Sequence, residues 1–312
     1  MRKCLFAVFL LFQTFLKGEV YDCFTFFNET ELLTVRLEEL YESVDYFVLV
    51  EATKTFCGEP KPLYFKENIE LFEKYKSKII HVVVDDFPPP SENLAKDRWV
   101  REEFQRNAIL RGLGQCKKND IILISDLDEI PRKDSIDEIK RRYQISRFND
   151  EHVFVLSMKL LLFYLNRMSR FKWEGGSKAA LYSKVKKLSP WEIKILNLKN
   201  KNLLKIENAG WHFHSLGGFA KLLEKLRAAY FYDNESFINP VIMKQISPEI
   251  AALNQHIPEE AWPNPIEIGR DPELFKKWTE AVFGVEVVPI DHSYPEYIIN
   301  HRSYYYSIGW IY

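Results

Sequence analysis

The chain has 312 residues, 46% hydrophobic and 15% aromatic, enough to bury a large core as a globular protein. Lys and Arg total 43 against 44 Asp and Glu, so the net charge is −1 with no basic block, which excludes a nucleic-acid partner. Beyond Cys4 the cysteines are Cys23, Cys57 and Cys116, an odd number that excludes a disulfide framework.

Arg2 and Lys3 precede an apolar stretch, residues 4–16, and Lys17-Gly18-Glu19 returns to polar residues. That is the plan of a signal peptide, and the stretch is short against the roughly 20 residues of a membrane span. Residues 1–18 are therefore expected to be a signal peptide, or else a short membrane anchor, and residues 19–312 one domain. From there strands alternate with helices: a strand over 21–26, and an amphipathic helix over 31–43 with Leu33, Leu37, Leu40 and Tyr41 on one face. A strand over 46–50, a helix near 67–76, a strand over 79–84, a helix over 99–111 and a strand over 121–124 continue the series. Pro88-Pro89-Pro90 makes a stiff loop before the helix over 99–111. Such alternation implies right-handed crossovers and a mainly parallel α/β sheet flanked by helices. Farther on, a charged helix over 135–143 is followed by strand-like stretches at 153–165, 179–183 and 206–214. A helix over 217–232 and an aromatic, Pro-rich tail from residue 262, expected to wrap the core, complete the chain. Asn28-Glu29-Thr30 and Asn234-Glu235-Ser236 fit the N-glycosylation acceptor pattern, a short pattern that carries little weight.

The most informative stretch is Ile121 to Pro131, an apolar run that ends in Asp126, Asp128, Glu129 and a proline. A buried parallel strand delivers acids to its carboxyl end, where ligands of open α/β sheets bind. Asp126 and Asp128 can converge on a hard divalent cation, Mn²⁺ or Mg²⁺, whose other positions go to phosphate oxygens and water, a metal-diphosphate site. The same tripeptide also suits a helix-capping turn. It suits as well the nucleophile strand of a haloacid-dehalogenase-type phosphatase, with Asp126 as nucleophile and Asp128 as acid. That class places its nucleophile strand near the start of the catalytic domain and a second acidic cluster downstream, and neither is visible. Asn28 and Glu29 follow the first strand, and Glu51, Thr53 and Lys54 the second, where nucleotide-binding groups lie in such sheets. Arg101 on the helix over 99–111 is a candidate diphosphate contact; Arg106 is not on the same stripe. Strand alternation sends His212 and His214 to one face.

Five ordered blocks carry a family resemblance: Tyr21-Asp22-x-Phe24-x-Phe26-x-Asn28-Glu29; Val50-Glu51-Ala52-Thr53-Lys54-Thr55 with Gly58 and Lys61-Pro62-Leu63-Tyr64-Phe65; Trp99-x-Arg101-Glu102 with Gln105-Arg106; Ser125-Asp126-Leu127-Asp128-Glu129-Ile130-Pro131; and Gly210-Trp211-His212-Phe213. Further matches at Asp271 to Phe275 and Pro295-Glu296-Tyr297 extend the likeness over the chain beyond its first 20 residues. The chain resembles glycosyltransferase family 17, the β-1,4-mannosyl-glycoprotein 4-β-N-acetylglucosaminyltransferase family. The resemblance implies a GT-A-like (Rossmann-like) fold, a UDP-N-acetylglucosamine (UDP-GlcNAc) donor, a divalent metal, and an inverting transfer to a sugar hydroxyl of a glycan or glycoprotein acceptor. Asp128 would clamp the metal, Asp126 would lie near the ribose or the metal, and His212, in the family's Gly-Trp-His-Phe block, would be a metal or phosphate contact. An inverting transfer needs a base, usually Asp or Glu; Glu174, Glu129, Asp233 and Glu235 are candidates, with Glu174 favoured because it stands against Trp173 and beside two glycines. Family members carry a His-x-Glu-like element where this chain has Tyr232-Asp233-Asn234-Glu235, a departure that bears on the acceptor. A glycan-binding protein without transferase activity is the non-enzymatic alternative. The expected location is the secretory pathway or a membrane, Golgi-like in a eukaryote, and the cytoplasmic face in a bacterium because sugar nucleotides are not exported to the periplasm.

Overall fold

The first four strands follow the expected alternation. β1 (Val20–Phe26), β2 (Tyr46–Ala52), β3 (Ile79–Val84) and β4 (Ile121–Asp126) are parallel neighbours in the order β3-β2-β1-β4. This computed structural model describes residues 18–145, 149–218, 221, 224–225, 228 and 272–312. The apolar stretch over 4–16, the acceptor pattern at Asn234, and Asp233 and Glu235 lie outside the described residues. Among the described residues no helix is long and apolar enough to cross a membrane.

Between the strands, α1 (Thr30–Leu40) buries Leu33, Leu37 and Leu40 of the face read from the sequence, together with Leu32, while Tyr41 lies just past the helix end and is half-buried. The expected helix at 67–76 is a 3₁₀ helix, Ile69–Tyr75. Phe72 and Tyr75, three residues apart, are both buried, and a three-residue turn stacks that spacing on one face. After a single turn, α2 (Tyr64–Glu67), comes α3 (Leu94–Asn107), which starts earlier than expected because Asn93 caps it, its side chain accepting the Lys96 N–H at 2.9 Å. A short turn, α4 (Ile109–Gly112), completes the segment, and a Cβ at Gly112 would lie 2.5 Å from Val48, so only glycine lets it press on β2.

The larger departure is a second sheet. Among the described residues, seven strands form the main sheet, β10-β6-β9-β4-β1-β2-β3, and five form another, β12-β8-β7-β11-β5. The acid motif does not run into a helix: β4 ends at Asp126 and β5 (Glu129–Pro131) begins the second sheet directly, before α5 (Lys133–Tyr143). The stretch expected as one strand over 153–165 likewise divides into β6 (Val153–Leu156) and β7 (Met158–Leu162), on different sheets and parted at Ser157. The stretch over 206–214 divides between β10 (Leu203–Ile206) and β11 (Gly210–His214), parted at Asn208 with φ of 53°. β8 (Arg167–Trp173) returns to the main sheet as β9 (Lys178–Leu181), antiparallel to both of its neighbours. The chain thus crosses repeatedly along one seam between the sheets. α6 (Tyr182–Val185) and α7 (Pro190–Lys194) follow β9, and β12 (Val285–Val287) closes the second sheet against β8.

Candidate functional site

At the carboxyl ends of β1, β2 and β4, beside the seam, a cavity of about 280 Å³ opens. Phe26, Phe27, Phe56 and Trp173 give it aromatic walls, and Lys54, Lys61, Arg98, Arg106 and Lys225 give it cations. Its acids are Glu29, Glu102, Asp126 and Asp128. Register explains the gathering: Thr25 of β1 pairs with Asp126 of β4, so the residues after each strand emerge side by side.

Arg36 fixes the turn that carries the acids. Fully buried on α1, it forms a bidentate pair with Asp22 (Nε to Oδ2 2.7 Å, Nη2 to Oδ1 2.6 Å). Its Nη1 donates to the carbonyl oxygens of Asp126, Leu127 and Glu129 at 2.9 to 3.0 Å. Beyond the turn, the Phe213 N–H donates to the Asp128 carbonyl at 2.8 Å, tying it to β11.

The two aspartates have different surroundings. Asp126 accepts from Arg106 Nη2 on Oδ1 at 2.7 Å and from Lys194 Nζ on Oδ2 at 3.0 Å. Burial alone would raise its carboxyl, but these two cations hold it well below the usual carboxylate range. Asp128, 4% exposed, meets Lys225 Nζ at 2.5 Å and His212 Nε2 at 3.6 Å, and these outweigh burial to lower its carboxyl too. Among the described residues, Asp128, His212 and His214 form a cluster whose ligand atoms all lie within 4.8 Å of one another. His212 and His214 share a face of β11 as alternation requires, while Trp211 and Phe213 stack on the other. Burial and the neighbouring His212 and Lys225 push the His214 imidazole down to about 3, so it is neutral with a lone pair to give. His212 Nδ1 is buried and has no hydrogen-bond partner among the described residues. One carboxylate and two imidazoles fit a divalent ion, and the nitrogen donors suit Mn²⁺ better than Mg²⁺.

Behind the motif, Glu129 is fully buried and fully engaged. It accepts from Trp173 Nε1 (2.7 Å), Ser177 Oγ (3.0 Å), Lys194 Nζ (2.7 Å) and the Asp126 N–H (3.1 Å), which makes it a scaffold for its neighbours. Gly176 permits this, since a Cβ there would sit 1.9 Å from Glu129 Oε1.

The expected site residues divide. Glu29, Lys54, Asp126, Asp128 and His212 line the cavity; Asn28 lines only a smaller one beside it. Asp126 is not in the cluster that could hold a cation, both its oxygens being taken by Arg106 and Lys194. Glu51 is fully buried, accepting from the Phe65 N–H and 3.1 Å from His81 Nε2, and serves the core. Thr53 donates to the Val84 carbonyl at the sheet edge. Arg101 donates to the Phe56 carbonyl at 2.8 Å and packs under Gly58, where φ is +93°, so it shapes the loop wall and does not line the cavity. Glu174 lies away from the cavity, accepting from Ser157 Oγ and Lys205 Nζ at 2.9 Å each. Arg98 and Glu102, with Lys61, Lys194 and Lys225, have no role assigned from the sequence, Glu102 and Lys61 standing there only within the family blocks. Helical spacing from Arg106 gives a signal for the first two: 98, 102 and 106 fall four apart on one face of α3.

The sequence profile of glycosyltransferase family 17 matches residues 12–260. The β-1,4-mannosyl-glycoprotein 4-β-N-acetylglucosaminyltransferases of Homo sapiens and Rattus norvegicus are each 35% identical over 115 residues, and that of Mus musculus 34%. In each case the match spans 35% of this chain and 21% of the relative's length. Among solved structures, a mannose-6-phosphate isomerase from Helicobacter pylori aligns with TM-score 0.36 and 12% identity over 61% of this chain and 98% of that one. A mycobacterial protein aligns with TM-score 0.37 and 10% identity over 70% and 77%.

Proposed function

The chain belongs to glycosyltransferase family 17, and we propose that it transfers N-acetylglucosamine from UDP-GlcNAc to a sugar hydroxyl of a glycan, with inversion and with a divalent cation bound by Asp128, His212 and His214. The observation that carries this reading is the convergence of that triad on a cavity otherwise rich in cations. A bound Mn²⁺ would supply charge stabilisation for the departing diphosphate. The chain's own part is electrostatic: Arg98, Lys61 and Lys225 face the cavity where phosphate charge would gather, and Arg106 with Lys194 holds Asp126 ionised at its floor. The aromatic walls suit a uracil and a sugar face. The names of the relatives point to a β-mannosyl glycan as acceptor. The phosphatase alternative loses ground because Asp126, its required nucleophile, is pinned between Arg106 and Lys194.

Calorimetric titration of UDP-GlcNAc with Mn²⁺ and with chelator, on wild type and on Asp128→Ala, tests the reading. Metal-dependent binding lost in the variant is the expected result. Binding that ignores both the chelator and the substitution would end the metal assignment, and no binding of any nucleotide sugar would end the transferase reading.

A further inference from the structure

A second, smaller cavity of about 50 Å³ adjoins the first. The two share Phe27, Glu29, Asp128, Ser215 and Lys225 as a common wall. If a nucleotide sugar fills the larger, its transferable sugar ends at this wall beside Asp128, and a hydroxyl can reach it from the smaller side. Leu32, Phe213 and Trp310 supply apolar surface there, and Asn28, Lys221 and Glu224 supply hydrogen-bonding groups, the pairing that a sugar ring with one apolar face needs.

A base for this transfer must have a free lone pair and must touch both sides. Asp126 has neither oxygen free. Asp128 is committed to Lys225 and His212. Glu102 lines only the larger cavity, 3.5 Å from Arg106, while Glu31 and Glu224 line only the smaller. Glu29 lines both. It stands at the N-cap position of α1, directly after β1, whose end pairs with Asp126. Its Oε2 accepts the Asn28 N–H at 3.1 Å, and its Oε1 makes no hydrogen bond among the described residues.

We propose that the smaller cavity admits the acceptor sugar and that Glu29 is the general base for its hydroxyl, an inference that rests on the transferase reading above. The acceptor oxygen forms a bond to the anomeric carbon as the bond from that carbon to the diphosphate oxygen breaks. UDP leaves with the electron pair, and the hydroxyl proton passes to Glu29.

The test measures transfer from UDP-GlcNAc to a β-mannosyl glycan with Mn²⁺, and UDP affinity by calorimetry, for wild type, Glu29→Gln and Glu29→Asp. Glu29→Gln should lose on the order of 10²- to 10⁴-fold in kcat with UDP affinity unchanged. Its residual rate should lack the acid limb of the wild-type pH profile, and Glu29→Asp should retain that limb at reduced rate. Wild-type turnover by Glu29→Gln would overturn the assignment. So would loss of UDP affinity in step with turnover, which would make Glu29 a donor contact. If the wild type binds no UDP, the transferase reading fails by itself and takes this one with it.

Discussion

Arg36 illustrates how little of a site's geometry need come from residues that touch ligand. Its guanidinium holds three main-chain carbonyls of the acid turn and neutralises Asp22, both side chains being fully buried. Arg36→Leu leaves a buried carboxylate and three carbonyls without their donor, so it should cost about 3–5 kcal/mol, read as a lower urea midpoint with an unchanged slope. Nothing local in the sequence marks Arg36, because its partners lie 14 and about 90 positions away. By contrast His212 and His214 are legible, since two-residue alternation is a local rule. Lys194 and Lys225 are as illegible as Arg36: they reach the acids from elements that only the fold brings close. Glu174 misleads for the same reason, its Trp-Glu-Gly-Gly setting being genuine but turned toward Ser157 and Lys205.

At the scale of elements, the parallel strands and the amphipathic helix α1 follow from apolar periodicity. The sheet crossings do not, because residues 153–165 stay apolar on both sides of Ser157 and periodicity does not register a change of partner. The loop from β8 to β9 shows what such a crossing requires. Buried Lys178 donates to the carbonyls of Gly175 and Gly176, and Gly176 leaves room for Trp173 to reach Glu129 at 2.7 Å. Gly176→Ala would place a methyl 2.2 Å from the Trp173 indole nitrogen, so the Trp173 to Glu129 hydrogen bond should break. The expected cost is about 1–3 kcal/mol, with red-shifted indole emission; unchanged emission and stability would show that the loop can yield.

For the whole molecule, the cluster at the seam makes stability depend on pH. His214 titrates at about 3 in the folded chain against an ordinary 6.5, so below 6.5 the unfolded chain binds the extra proton and stability falls until about pH 3. Asp128, lowered by Lys225 and His212 against the effect of burial, adds a loss of the same sign below its ordinary carboxylate range. His214→Gln should therefore flatten the decline between pH 6.5 and 5, measured by urea unfolding across that window. A decline as steep as in the wild type would place the proton uptake elsewhere. The seam has one more consequence. Asp128 arrives on the link out of the main sheet, whereas both histidines ride on β11 of the second. A cation held by all three would act as a rivet between two plates, so any force that slides one plate on the other loosens the ion, and by reciprocity the ion locks the plates in place.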